Sequence, residues 1–389
     1  MSTTMTATPE PQTSDGPGEK PVLKVRDLRV TFTRAGKRIR AAKGVSFDAK
    51  PGKMLAIIGE SGSGKSVTVR ALMGLLPPSA KISGSADLEG KELVGLSDKK
   101  MRMVRGQEIS MIFQDPARSL NPTMSVGAQI VESVRTHRPV NRKDAAERAI
   151  ELLKLVRLPA PEKRFHQFPH QLSGGMRQRV MIAIALASDP KVLIADEATT
   201  ALDVTTQAQI MELLVDLRER LGTAVIMISH DLGLAASYAD EVLVMYAGKV
   251  VEQAATSELF SNVRMPYTRA LLEAIPQVTR PSHAPLTVIS GHPPDPSQRI
   301  EGCPFKPRCI RSTDQCATAP LLEEHEPAHW YACWHPVDGA LAPIPEKAGT
   351  VPGEAAAVAA DVDALPGERP PTTSAETTGT PATGEESTP

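Results

Sequence analysis

The chain has 389 residues, enough for one large domain and a smaller one, because single hydrophobic cores rarely grow beyond roughly 250 to 300 residues. Its formal net charge of -1 does not indicate nucleic-acid binding, which usually needs a strongly basic face, so we expect no nucleic-acid partner. No stretch approaches the ~18 to 20 consecutive apolar residues that cross a bilayer, and the amino terminus lacks the pattern of a secretory signal, so we expect a cytosolic location.

Both ends of the chain, residues 1–20 and about 339–389, are rich in Pro, Thr, Ala, Gly and Glu and hold few large apolar side chains. Such segments bury too little apolar surface to offset the entropy of ordering. We therefore predict two disordered tails. No repeat of fixed period lies between them, which argues against solenoids and propellers.

The first folded segment, from Val22 to about Ser46, has short apolar alternations and is predicted to form antiparallel strands. Later apolar runs are continuous, as is typical of parallel strands buried on both faces. An amphipathic helix is predicted between them at Arg142 to Leu158. Strands that alternate with helices indicate an α/β sheet. The continuous runs are Met54–Gly59, Lys191–Asp196, Thr223–Ser229 and Glu241–Gly248.

The segment GESGSGKS fits the phosphate-loop pattern GxxxxGK[ST], and it stands between a predicted strand and a predicted helix, as the motif requires. Glycines let successive amides turn toward one anion, Lys65 would reach the outer phosphates, and the Ser66 hydroxyl would bind Mg²⁺. The alternative is a flexible Gly/Ser turn. The predicted ATP-binding residues here are Gly59, Glu60, Ser61, Gly62, Ser63, Gly64, Lys65, Ser66 and Val67.

A second acidic motif, VLIADE, ends the predicted strand at Lys191–Asp196. Asp196 would hold the Mg²⁺, and Glu197 would polarise the attacking water. Acidic residues at a strand end are more often solvated caps, so the catalytic interpretation depends on the preceding phosphate loop.

The segment LSGGMRQR at Leu172–Arg179 resembles the signature of ATP-binding cassette (ABC) proteins. The resemblance implies that the signature contacts the γ-phosphate of ATP held by a partner cassette. A structural alternative is an ordinary serine N-cap with glycines in the first turn. The signature residues are Leu172, Ser173, Gly174, Gly175 and Met176.

Other motifs of the ABC family follow in order. The resemblance implies that Gln114 in FQDP contacts Mg²⁺ and links to the membrane subunit, that Asp203 in ALD lies at the cassette interface, and that His230 in ISHDLG holds the γ-phosphate. Family members also stack adenine on an early aromatic residue. Phe32 is the candidate, with a core phenylalanine as the alternative.

Longer strings, such as MIFQDPARSLNP at Met111–Pro122 and DEATTALDVT from Asp196, resemble the oligopeptide and dipeptide importer ATPases, the D-type subunit in particular. GHPPDP and GCPFKPRC resemble the carboxy-terminal extension of that group. The resemblance implies an ABC-type phosphate-loop fold with an antiparallel β subdomain and a helical subdomain. The implied parts are a cassette at 21–265, its helical subdomain at about 97–171, and a small loop-rich, Cys-containing extension at 266–338.

The same resemblance implies the partners. They are a second ATPase subunit, the F-type paralogue in a heterodimer, two integral membrane permease subunits and an extracytoplasmic solute-binding protein. The chain would lie peripherally on the cytoplasmic face of the membrane and power peptide uptake. Alternatives are import of nickel chelates, glutathione or another small solute, and a soluble ABC ATPase acting on ribosomes or DNA.

All four cysteines, Cys303, Cys309, Cys316 and Cys333, fall in the extension. Their spacing differs from the paired CxxC arrangement of most zinc ribbons. In a reducing compartment, clustered thiols favour a metal or cluster over disulfides. The family extension is reported to hold a [4Fe-4S] cluster, which accepts four cysteines. Zinc and free or disulfide-linked thiols are the alternatives.

Overall fold

The structure is a computed structural model that describes residues 20–34, 36–199, 202–275, 288–298 and 300–338. The predicted disordered tails lie outside these ranges, apart from Lys20. No helix in the described ranges combines the length and the apolar character needed to cross a membrane.

The described strands, in chain order, are β1 (Leu23–Arg34), β2 (Lys37–Ala49), β3 (Met54–Ile58), β4 (Ala80–Leu88), β5 (Lys91–Glu92), β6 (Ile109–Ile112), β7 (Val192–Asp196), β8 (Ala224–Ser229), β9 (Glu241–Tyr246), β10 (Lys249–Ala255), β11 (Glu323–Glu326) and β12 (His329–Tyr331). The described helices are α1 (Lys65–Leu72), α2 (Asp98–Val104), α3 (Pro116–Ser119), α4 (Val126–His137), α5 (Arg142–Leu155), α6 (Pro161–Phe165), α7 (Gly174–Ala185), α8 (Val204–Leu221), α9 (Leu232–Tyr238), α10 (Thr256–Ser261) and α11 (Pro266–Glu273). Short 3-10 helices occupy Pro169–Gln171, Lys306–Arg308 and Asp314–Ala317.

Two sheets are present in the described ranges. The early strands form an antiparallel sheet in the order β2-β1-β4-β5. The larger sheet has the order β11-β12-β10-β9-β3-β8-β7-β6, with parallel pairing from β9 to β6 and antiparallel pairing from β9 outward to β11. This arrangement confirms the predicted ABC-type α/β fold class.

The central strands are buried on both faces. Alternate side chains of a strand point to opposite faces of the sheet. In β3, Met54, Ala56 and Ile58 belong to one apolar core, while Leu55 and Ile57 belong to the other. The continuous apolar run therefore feeds two cores at once, which is the physical reason for its lack of alternation.

The range predicted as a helical subdomain contains a strand that sequence reasoning missed. Helices α4, α5 and α6 lie within it, but β6 (Ile109–Ile112) pairs in parallel with β7 and belongs to the larger sheet. The run ISMI is only four residues long, too short for its periodicity to separate a strand from a helix segment.

The Cys-containing extension packs on the cassette through an aromatic cluster. The ring of Phe305 lies 5.3 Å from those of both Tyr246 and Tyr267, and the two tyrosine rings are 4.5 Å apart. All three side chains are buried. Aromatic pairs at this spacing add stabilisation beyond the area that they bury.

We expect Phe305→Ala to lower the free energy of unfolding by about 3 to 5 kcal/mol, because it leaves a cavity in this cluster. Urea denaturation of the full chain measures the change. Ile310, which is 99% exposed in the same extension, supplies the control: Ile310→Ala should change stability by less than about 0.5 kcal/mol. Equal effects of the two substitutions would contradict the docking role of Phe305.

Candidate active site

The candidate active site lies where parallel strands of the larger sheet end. In the register of β3 and β8, Ile58 is opposite Ser229, and in that of β7 and β8, Asp196 is opposite Ile228. The phosphate loop, the acidic pair and His230 therefore all follow strands at the same edge. Ligands of α/β sheets bind at this edge.

Two glycines allow the phosphate loop to curl between neighbouring strands. Gly59 has a φ of 151° and Gly64 a φ of 103°, in the region that favours glycine. A Cβ on Gly59 would collide with the carbonyl oxygen of Met245 in β9, and one on Gly64 with that of Ala41 in β2. Both positions need glycine for conformation and for space, which rules out an unconstrained flexible turn.

Lys65 begins α1 and is almost completely buried beneath the loop. Its Nζ donates to the carbonyl oxygens of Gly59, at 2.7 Å, and Glu60, at 3.0 Å. Burial lowers the pKa of Lys65, while Glu197 and Asp196 act in the opposite direction. The ammonium group is thus held at the loop, with amide groups and a helix amino terminus around it, as phosphate binding requires.

The two predicted Mg²⁺ ligands are in contact. The Ser66 hydroxyl donates to Oδ1 of the buried Asp196 at 2.8 Å, and Arg70 donates to Oδ2 at 3.1 Å. A hydroxyl and a carboxylate are the hard oxygen donors that Mg²⁺ accepts alongside substrate phosphates. The donor set therefore fits this ion.

Glu197 and Gln114 also meet, although 83 residues separate them. The Gln114 side-chain amide donates to Oε2 of Glu197 at 2.7 Å. Glu197 has a φ of 49°, an uncommon conformation for a residue other than glycine. Such strain is concentrated at functional sites. The contact places the predicted water-activating carboxylate beside the residue predicted to contact Mg²⁺ and to link to the membrane subunit.

The ABC signature begins α7 and is partly exposed. The Ser173 hydroxyl accepts a hydrogen bond from the Met176 amide at 3.3 Å, so the structural N-cap role is real. Asp203 caps α8 in the same way through Thr206. A Cβ on Gly175 would clash with the Thr206 side chain, so the signature and the Asp203 segment are neighbours.

The hydrogen bonds of Ser173 within the described ranges stay in its own helix, so they do not join the signature to the phosphate loop. His230 is exposed directly after β8, which lies between β3 and β7 in the sheet. Phe32 is partly buried in β1 and packs against the core that includes the antiparallel sheet. The proposed roles of His230 and Phe32 remain predictions.

A contact that sequence reasoning missed joins the extension to the phosphate loop. Arg308 donates two hydrogen bonds to the Glu60 carboxylate, at 2.6 and 2.9 Å, and a third to the Tyr246 hydroxyl. The Tyr267 hydroxyl accepts from the Glu60 amide at 2.9 Å. Glu60 raises the pKa of Arg308, and burial raises that of Tyr267. No local pattern in the sequence pairs residues 248 positions apart.

The four cysteines lie around one small cavity of the extension. All four are free thiols, with Cys303 and Cys316 buried, and the Cys303 amide donates to the Cys316 carbonyl oxygen at 2.9 Å. Burial raises the pKa of Cys303 and Cys309, and it raises that of Cys333 to about 11. Without a cation the thiols of Cys303, Cys309 and Cys333 stay protonated at neutral pH.

The fold and this arrangement of motifs define a phosphate-loop nucleotide-binding cassette. Residues 42–200 match the ABC transporter family, and residues 251–316 match the family described as the oligopeptide/dipeptide transporter C-terminal region. The second match begins inside β10, before the predicted boundary at 266.

Curated relatives cover most of the chain. A probable peptide ABC transporter ATP-binding protein of Sinorhizobium fredii is 49% identical over 80% of this chain and 94% of its own length. The oligopeptide transport ATP-binding protein OppD of Salmonella typhimurium is 46% identical over 88% of this chain and all of its own length. Among solved structures, the dimeric ABC cassette MJ0796 bound to ADP and Pi is 30% identical, with a TM-score of 0.54 over 60% of this chain and 98% of that one.

The chain belongs to the ABC transporter ATP-binding proteins of the oligopeptide and dipeptide group, a family of ATPases. The resemblance inferred from its motifs is thereby confirmed.

We expect Arg308→Gln to weaken ATP binding roughly tenfold. The substitution leaves the Glu60 carboxylate without its countercharge in the loop that receives phosphates, and like charges repel more strongly in a partly buried site. Fluorescence titration with an ATP analogue measures the affinity. Arg311→Gln, an exposed neighbour, should have no effect. The double variant Glu60→Gln, Arg308→Gln should recover most of the affinity, and failure to recover it would exclude the charge explanation.

Proposed function

We propose that the chain hydrolyses ATP to drive the uptake of di- or oligopeptides through a membrane permease. The contact of Ser66 with Asp196, beside the Gln114–Glu197 pair, is the observation that supports hydrolysis at this site. The match of residues 251–316 to the oligopeptide/dipeptide transporter region supports the peptide cargo. Ligand binding by the cognate solute-binding protein tests the cargo, and a receptor that binds only other solutes would exclude peptides.

In the proposed mechanism, loop amides and Lys65 bind the β- and γ-phosphates of ATP. The Ser66 hydroxyl and Asp196 would hold the Mg²⁺, which would supply positive charge to neutralise the phosphoryl group. Glu197 orients the attacking water, and Gln114, bonded to it, reports the occupancy of the site. His230, exposed at the end of β8, contacts the γ-phosphate.

The exposed signature supports a second cassette as partner. Ser173 and Gly174 are exposed, and their helix amino terminus is suited to a phosphate that another chain holds. A dimeric neighbour with bound ADP and Pi has the same fold. We propose a heterodimer with an F-type paralogue, in which each ATP lies between the phosphate loop of one chain and the signature of the other.

The remaining partners in this proposal are two permease subunits and an extracytoplasmic solute-binding protein. The chain would then act peripherally on the cytoplasmic face of the membrane. Phe113, immediately before Gln114, is among the large apolar side chains exposed in the described ranges, and it offers a contact for such a partner. Motion at the Gln114–Glu197 pair would reach the permease through this segment.

We expect Glu197→Gln to reduce steady-state ATP hydrolysis at least about a hundredfold while ATP-driven dimerisation persists, because the amide cannot polarise water but preserves the shape of the site. Phosphate release and analytical ultracentrifugation of the assembled cassettes measure the two effects. Glu147→Gln on the exposed face of α5 is the matched control and should leave both unchanged. Turnover near the wild-type rate in Glu197→Gln would exclude this residue as the base.

For the extension we propose a [4Fe-4S] cluster held by Cys303, Cys309, Cys316 and Cys333. No three of these sulfur atoms lie mutually within 4.8 Å. A tetrahedral zinc site with Zn–S bonds of about 2.3 Å needs sulfur atoms roughly 3.8 Å apart. The wider arrangement around a shared cavity favours the larger group. The bound cluster would supply cross-links between irregular loops and would stabilise the deprotonated thiolates.

Protein purified anaerobically should contain about four irons per chain and should absorb in the visible range. Cys309→Ser should lose most of the iron, since each thiolate completes a corner of the cluster. Ser312→Ala, three residues away, is the control and should keep it. Iron analysis and absorption spectra give the result, and colourless, zinc-loaded protein would overturn the cluster assignment.

A further inference from the structure

A buried histidine lies where the extension joins the cassette, far along the sheet order from the phosphate loop. The ring nitrogen Nε2 of His329 is 3.0 Å from Oε1 of Glu252, and both side chains are completely buried. Oε1 of Glu252 is the acceptor in its other hydrogen bonds, so we assign Nε2 as the donor of this one. The backbone amides of Arg264 and Met265 also donate to this oxygen. The orientation of the histidine ring is therefore set by Glu252.

The other ring nitrogen, Nδ1, has no hydrogen-bond partner in the described ranges. It faces Oε1 of Glu258 at 3.8 Å and Oε2 of Glu326 at 4.0 Å. The three atoms lie within 4.8 Å of one another. A lone pair pointing at two carboxylates is unfavourable unless a cation or a proton lies between them.

The charges in this cluster point to a cation. Glu252, Glu258 and Glu326 bring three carboxylates, and the cation paired with them in the described ranges is Arg264, which binds Glu326. Arg264 also pairs with Asp338, which is 85% exposed. Among the described residues, the three glutamates therefore outnumber the one cation, Arg264, by two around the buried imidazole. A divalent ion would neutralise this difference.

We propose that Glu258, Glu326 and Nδ1 of His329 form a binding site for a divalent cation of the zinc type. Zinc bonds of about 2.0 to 2.2 Å place neighbouring ligand atoms roughly 3.4 Å apart, so closure needs only small side-chain rotations. An imidazole ligand favours zinc over Mg²⁺ or Ca²⁺. The carboxylate behind Nε2 is the usual outer partner of a metal-bound histidine.

Asn262 completes the surroundings of this site. Its side-chain nitrogen donates to the same two oxygens, Glu258 Oε1 at 3.1 Å and Glu326 Oε2 at 2.7 Å. When no ion is bound, the Asn262 amide bridges the two carboxylates. A rotation of this amide by half a turn would place its oxygen, in place of its nitrogen, toward a bound ion. The ion would tie α10 of the cassette to the hairpin formed by β11 and β12.

The test compares metal binding by full-length variants. Glu258→Gln is the main variant, because the Glu258 side chain is 41% exposed and its loss leaves the buried Glu252–His329 pair intact. Glu326→Gln is the second, and Glu323→Gln, exposed on the same strand, is the matched control. Zn²⁺ affinity is measured by competition with a chromophoric chelator. Co²⁺ spectra separate this site from the cysteines, since only thiolate ligands give intense charge-transfer bands.

Wild type and Glu323→Gln should bind one more Zn²⁺ per chain than the cysteines account for. Glu258→Gln and Glu326→Gln should bind it at least about tenfold more weakly, with unchanged thiolate bands. Zn²⁺ should also slow amide hydrogen exchange in residues 323–331 of the wild type but not of Glu258→Gln. Zinc binding that is equal in wild type and Glu258→Gln, or no zinc beyond the cysteines, would overturn the proposal.

Discussion

Parallel pairing of β3, β8 and β7 is the constraint on which the geometry of the candidate active site depends. The register sets Ile58 beside Ser229 and Ile228 beside Asp196, so three chemically distinct segments leave the sheet at one edge. The strands hold this register because both of their faces are buried in apolar cores. A slip of one residue would exchange the two faces of a strand, and with them the direction of every side chain that follows.

The phosphate loop is constrained from two further directions. Backbone of β9 and β2 approaches so closely that Gly59 and Gly64 admit no side chain. The extension then binds the loop from outside through Arg308 and Glu60. Arg308, remote in sequence and adjacent to Cys309, thus supplies the countercharge for Glu60 of the phosphate loop. This contact joins the Cys-containing extension directly to the phosphate loop.

The extension also lengthens the sheet. Strand β12 pairs with β10, and β11 pairs with β12, so the boundary between cassette and extension is a set of backbone hydrogen bonds. The buried Glu252–His329 pair crosses this boundary, as does the aromatic contact of Phe305 with Tyr246. The extension is therefore held to the cassette at three separate points. These are the aromatic contacts of Phe305, the Arg308–Glu60 ion pair at the phosphate loop, and the carboxylates around His329.

The sequence by itself determined the elements whose chemistry is local. The glycine spacing of the phosphate loop, the apolar strand before Asp196 and the serine that begins α7 each follow from neighbouring residues, and these segments adopt the predicted strand and helix types. Tertiary structure alone decided the contacts between distant residues. Strand β6 was too short to recognise, Arg308 meets Glu60 across 248 positions, and His329 of β12 meets Glu252 of β10 only because these two strands pair. Periodicity and motif spacing report only on the segment in which a residue lies. The contacts of Arg308 and His329 depend instead on which surfaces meet when the chain folds.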